Sequence, residues 1–150
     1  MIIFDNTVLS AFTRLKLLPS LEILLKSAII SKEILNEFSL QWQQTIPNWI
    51  KILQSDNTII LKDIPKPLSS ADLSLIRLAL EYDIPIASDD GPLRTYAKKL
   101  GISITGSLGL LKALNQKKII ETQKEYIKFL NLLQEDIYIS DELMKWALKD

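Results

Sequence analysis

Two kinds of segment alternate along the chain. Short, mainly apolar runs at residues 1–4, 27–30, 84–88 and 102–105 suit strands buried on both faces, while the stretches between them repeat apolar residues every three or four positions, as helices do. Residues 57–64, rich in β-branched residues, are predicted as one more strand, the third in chain order. Helices are predicted over 6–18, where Val8, Leu9, Phe12, Leu15 and Leu18 share a face, and over 21–26, after the punctuation of Pro19 and Ser20. Further helices are expected over 31–44, capped by Ser31, over 48–54 after Pro47, and over 71–83, with Leu73, Ile76 and Leu80 turned inward. Residues 89–101 follow, with Pro92 in the first turn and Gly101 as a stop; then come 107–118, 122–135 and 139–150, the last capped by Ser140.

Strands separated by helices predict an α/β fold: a three-layer α/β/α sandwich around a mainly parallel sheet of about five strands. At 150 residues with 47% hydrophobic and 24% charged content, the chain is expected to form a single domain over 1–150. No run approaches the ~18 apolar residues of a membrane helix and no basic region precedes the first apolar run, so a soluble, cytoplasmic protein is expected.

Composition narrows the chemistry further. With no Cys there is no disulfide, thiolate metal site or cysteine nucleophile, and with no His there is no imidazole base. An enzyme built from this chain has to use carboxylates, lysines or metal-activated water, with hard cations on oxygen ligands. A net charge of zero, from 18 basic and 18 acidic residues, argues against a general nucleic-acid coat but leaves room for a local basic patch.

Ligand sites in parallel α/β folds collect at the carboxyl ends of strands, which draws attention to Asp5, after the first run, and to Asp89 and Asp90, after the run ending at Ser88. Each has a plainer reading: Asp5 as a helix cap, Asp89-Asp90-Gly91 as a turn. Asp72 stands in the first turn of its helix, where any acid is favoured by the macrodipole, and Glu37 lies on a helix where a solvated face explains a lone acid. Their order along the chain is more specific than any one of them.

In that order, IFDNTVLSAFTRLKLLPSLEILL (residues 3–25), AIISKEILNEF (28–38) and the stretch from Leu68 to Leu114 resemble a PIN domain, most closely the small prokaryotic branch of VapC-type toxins. The resemblance extends to the closing DIYISDELMKWALKD. It implies a ribonuclease whose acids bind Mg²⁺ or Mn²⁺. By position, Asp5 matches the first acid, Glu37 the acid of the NEF segment, Asp72 the acid opening the later helix, and Asp89 or Asp90 the last. Asn6 and Thr7 replace the more usual Thr then Asn or Ser, and Asp72 stands where that branch often has Glu. The implied metal ligands are Asp5, Asp72, Asp89 and Asp90.

Several carboxylates sharing a pocket need a cation to neutralise them, and such a cation activates water for attack on a phosphate. Thr7, Ser10 and Ser88 are candidates to orient water or phosphate, and Arg94, Lys98 and Lys99, with Arg14 and Lys16, to grip an RNA backbone; a solvated helix face is the alternative for each base. A phosphatase with its acid pair two positions apart is disfavoured by Thr7, and the absence of a Gly-rich phosphate loop disfavours a nucleotide-binding enzyme. The rival of a different class is a PIN-like scaffold without turnover that binds RNA or protein. Trp42, Trp49 and Trp146 are read as core filling or a homodimer seam, with a homodimer and a small antitoxin-like partner expected.

Overall fold

Strand β1 (Ile2–Phe4) has all three residues buried, and β2 (Ala28–Ser31) all four. Because successive side chains of a strand point to opposite faces, unbroken burial means that both faces are covered. A computed structural model describing residues 1–150 shows how. Three more strands, β3 (Ile50–Leu53), β4 (Ile86–Ala87) and β5 (Ile104–Thr105), complete a five-stranded sheet in the order β3-β2-β1-β4-β5, parallel throughout.

Eight helices surround the sheet in the α/β/α manner: α1 (Asn6–Arg14), α2 (Leu18–Leu25), α3 (Lys32–Trp42), α4 (Ser70–Tyr82), α5 (Gly91–Lys99), α6 (Ser107–Gln116), α7 (Gln123–Leu133) and α8 (Asp141–Leu148). The core between the layers contains Phe4, Phe12, Phe38, Leu75, Ile76 and Tyr96, each at most 1% exposed. Full burial of such side chains contributes ~1.5–3 kcal/mol apiece. No helix is long and apolar enough to cross a membrane.

β1 lies at the centre. The chain leaves it toward β2 and β3 on one side, then returns through α4 to β4 and β5 on the other. The strand order therefore reverses between β1 and β4, whose carboxyl ends open side by side; this is where open parallel sheets bind ligands.

Several local signals act as expected. Ser31 caps α3 by accepting from the Ile34 N–H at 3.1 Å, and Ser140 caps α8 through Leu143 N–H. α5 ends in a Schellman arrangement: Gly101, at φ +77°, donates to Lys98 C=O, and Ile102 N–H bonds back to Ala97 C=O. A similar ending closes α1 earlier than the periodicity predicts. Lys16 takes the left-handed position at φ 60° and Leu17 N–H reaches Phe12 C=O, so Leu15 and Leu18 are buried but lie outside α1. Pro19 sits inside the first turn of α2 rather than before the helix.

Three expectations are corrected. The third strand is Ile50–Leu53, within the stretch predicted as a helix over 48–54, and residues 57–64 form a loop. Apolar residues at Trp49, Ile50, Ile52 and Leu53 fit either period over so short a span, and pairing with the free edge of β2 decides for a strand. The loop has no ladder to join. Its backbone is held by side chains instead: Asp56 accepts from Thr58 N–H, Arg77 donates to Ile59 C=O and Tyr96 to Lys62 C=O, leaving Ile60 85% exposed. On α4 the inward face is Ala71, Ser74, Leu75, Ile76, Leu78 and Ala79; Leu73 is half-buried and Leu80 exposed, because the helix packs on the sheet and on α3 through a face rotated from the one predicted.

Trp49 meets Phe4 edge-on at 6.1 Å between ring centres and Trp42 stacks on Phe38 at 6.3 Å, so both fill the core margin; Trp146 is exposed.

The completely buried Ser31 also accepts from the Ser74 hydroxyl at 2.8 Å, joining the end of β2 to α3 and α4. Ser31→Ala removes the cap and leaves a buried N–H unpaired. Urea denaturation is expected to show a loss of about 1–2 kcal/mol with an unchanged slope.

Candidate active site

Asp5 follows β1 directly and is tied to the end of β4 by its own backbone, Asp5 N–H donating to Ala87 C=O at 2.9 Å. Its carboxylate is 5% exposed and accepts three hydrogen bonds: from Asn6 N–H at 2.7 Å, from the Ser88 hydroxyl at 2.6 Å and from the Thr7 hydroxyl at 3.2 Å. The cap reading of Asp5 is thus correct as far as it goes. The Ser88 bond adds what a cap does not need, a link across the switch point between the two halves of the sheet.

Burial pushes the Asp5 carboxyl above its ordinary value against the pull of these donors, and the nearby Asp72 charge pushes the same way. Glu37, exposed on α3, is raised by partial desolvation and then by the charges of Asp5 and Asp72. These three acids, from β1, α3 and α4, therefore share one electrostatic neighbourhood. Asp72 is itself engaged at the start of α4: it accepts from Ser69 N–H at 2.9 Å while its own N–H donates to the Ser69 hydroxyl, a reciprocal capping box.

Asp89 and Asp90 lie on the other side of Asp5 and have separate tasks. Asp90 caps α5 through one oxygen, which accepts from Leu93 N–H at 2.9 Å. Its own N–H donates to the hydroxyl of Ser88, the residue that bonds Asp5. Asp89 is held at both oxygens by Ser107 at the start of α6, 2.7 Å from the N–H and 2.6 Å from the hydroxyl, and its N–H donates to Thr7. A helix N-terminus favours an anion at that place. Gly106 permits this approach: a Cβ there would lie 2.8 Å from the Asp89 carboxylate and 3.2 Å from the Arg94 guanidinium.

A groove of about 960 Å³ opens beside this point and is lined by Asn6, Thr7, Ser10, Asp89, Asp90 and Arg94, among others. Asp5, Glu37 and Asp72 are not among its lining residues, and no three acidic side chains stand close enough to surround one ion. The acids are thus brought to one end of the sheet in two groups, with Asp5 between them through Ser88 and Thr7.

The predicted substrate contacts divide likewise. Arg94 lines the groove, donates to Ser88 C=O at 2.9 Å and joins no ion pair. Arg14 lines it too, but is paired with Asp136 and lies over the Trp42 ring. Ser10 is buried in a polar cluster, accepting from Trp42 Nε1 at 2.9 Å and facing Asn6 and Gln41. Lys16, Lys98 and Lys99 are exposed and do not line the groove.

Sequence reasoning passed over Ser107, Gly106, Gln41 and the groove wall contributed by residues 136–146. The first two had a usable signal, because Gly106-Ser107 follows the last strand just as Asp5 follows the first. The others are brought in by tertiary packing alone.

The search of curated proteins returns no match. The family model DUF3368, described as a PIN domain, matches residues 1–150. That match agrees with the parallel sheet, in a fold of nuclease type: the chain belongs to the PIN-domain family.

Proposed function

We propose that the protein is a metal-dependent ribonuclease of the VapC-toxin-like kind, hydrolysing RNA phosphodiester bonds. The observation that supports this most is Asp5, a buried carboxylate at the switch point whose charge is opposed by burial and by Asp72. The burial of that charge is a cost which the hydrogen bonds do not fully offset and which a bound cation would compensate.

The donor chemistry fits Mg²⁺ or Mn²⁺, since every candidate ligand is a hard oxygen. The spread of the acids is compatible with Mg²⁺ as well, which is commonly held by one or two carboxylates, with waters and substrate phosphate completing the shell. The proposed ligands are Asp5 with one further carboxylate, either Asp72 on one side or Asp89 or Asp90 on the other, with Glu37 shaping the field. When bound, the ion supplies an activated water and neutralises charge on the phosphate.

The chain's own groups do the rest. Ser88 and Thr7 fix the orientation of the Asp5 carboxylate, Ser107 fixes Asp89, and the unpaired Arg94 offers N–H donors to a phosphate in the groove. Because no three acids converge, a second reading also has support: an RNA- or protein-binding module without turnover. A small antitoxin-like partner and a homodimer belong to the first reading as proposals.

Asp5→Asn is expected to lower Mn²⁺-dependent RNA cleavage about a thousandfold, corresponding to ~4 kcal/mol of lost transition-state stabilisation, with the far-UV spectrum retained. Equal cleavage by both proteins rejects the assignment. RNA binding by wild type with no cleavage in either metal selects the binding module.

Metal removal gives an independent readout. In EDTA, Asp5→Asn is expected to be more stable than wild type at neutral pH, because the raised folded-state pKa makes ionised Asp5 a cost above the ordinary carboxylate range. As pH falls through the folded-state pKa and then below the unfolded one, Asp5 protonates in both states and the difference is expected to vanish. Adding Mn²⁺ is expected to raise the melting temperature of wild type and not of the variant. Urea titrations across pH and thermal shifts with Mn²⁺ measure both.

A further inference from the structure

A second cavity, of about 260 Å³, opens where the end of α6, the start of α7 and the end of α8 meet, and it shares no lining residue with the groove. α6 begins beside Asp89 and reaches this cavity only with its last turn, so the two openings lie at opposite ends of one helix. The cavity walls carry three lysines, Lys112, Lys118 and Lys149, against one carboxylate, Asp150. Two positive charges are thus left over here, in a chain whose total charge is zero. Asn115 and Gln123 add side-chain amides to the same wall.

Lys112 is the unusual member. It is only 8% exposed, and the protein's one ion pair joins Arg14 to Asp136, so no carboxylate answers its charge. Its ammonium lies 4.0 Å from the centre of the Trp146 indole and donates to Trp146 C=O at 2.6 Å. These contacts fasten α8 to α6, but they give an oxygen acceptor to one of three N–H donors. A buried charge is ordinarily paired, because removing it from water costs more than one neutral acceptor returns. The next carbonyl of α8, that of Ala147, is already engaged by the buried Tyr126 hydroxyl at 2.8 Å.

We propose that this cavity is a binding site for a small phosphate monoester, held by Lys112 from below and by Lys118 and Lys149 from the rim. The site stands apart from the nuclease reading of the acids and does not depend on it. A phosphate monoester near pH 7 carries close to two negative charges, matching the two left uncompensated, whereas a phosphodiester carries one. Lysine ammoniums are compact point charges suited to phosphate oxygens. At about 260 Å³ the cavity falls just below the ~300–1,000 Å³ of ordinary ligand sites, room for a phosphate with a short polar body.

The test is a calorimetric titration of the full chain in EDTA at constant ionic strength, with glycerol 3-phosphate, inorganic phosphate and glycerol as probes. Saturable one-to-one binding is expected for both phosphates and none for glycerol. Lys118 and Lys149 are exposed, so Lys118→Gln and Lys149→Gln keep the fold; each is expected to weaken glycerol 3-phosphate binding about 2- to 5-fold. Lys112→Met is expected to weaken it at least about tenfold. Arg94→Gln, in the groove, is expected to leave it unchanged.

Binding that does not saturate, or that Lys118→Gln and Lys149→Gln leave at the wild-type level, overturns the site, and Lys112 is then a clamp for α8 alone. Loss of binding in Arg94→Gln also overturns it, by placing the phosphate in the groove. Should Lys112→Met fail to fold, the two exposed variants and Arg94→Gln decide the matter without it.

Discussion

The hydrogen bond from Ser88 to Asp5 joins the two halves of the sheet at the point where the strand order reverses. Removing a carboxylate from water is expensive, and here three donors at 2.6–3.2 Å offset part of that cost without eliminating it. Each donor in turn commits a neighbour. Thr7 also accepts from Asp89 N–H and Ser88 from Asp90 N–H, so the positions of both later acids follow from how Asp5 is satisfied. A small polar residue at 7 and at 88 is what allows one buried charge to organise the ends of two strands.

Around that constraint the protein separates its acids by task. Asp72 and Asp90 stabilise the first turns of α4 and α5, and Asp89 that of α6, all toward the carboxyl end of the sheet. Capping a helix does not exclude a second task for the same carboxylate, since a cap occupies only part of its accepting capacity.

The parts of the fold legible in the sequence were those with local causes. Unbroken apolar runs marked β1 and β2, and Ser31, Ser140 and Gly101 marked helix ends, because each acts on backbone groups within a few residues. The edge strand β3 was not legible. Residues 57–64 have the stronger strand composition, yet Ile50–Leu53 is the segment that reaches β2, and pairing overrides propensity when the two compete. Of the site, the acids following strands could be read from the rule about strand ends, as could Gly106 and Ser107, whereas Gln41, Tyr138 and Trp146 enter through packing between elements far apart in the chain. No pattern confined to one element encodes such a meeting.

The order of strands has a consequence for how the chain comes into being. β2 pairs with β1 across 26 residues, Ile2 opposite Ala28, but Ser88 reaches Asp5 only across 83. Closing the longer loop costs about 1 kcal/mol more in chain entropy, and it cannot close until β4 has been synthesised. A growing chain can thus assemble β1, β2, α3 and β3 while Asp5 still lacks its bond to Ser88. The bonded arrangement of Asp5, Asp89 and Asp90 is among the last features this protein can complete, so a partly made or partly unfolded chain carries these acids without the hydroxyls that hold them in place.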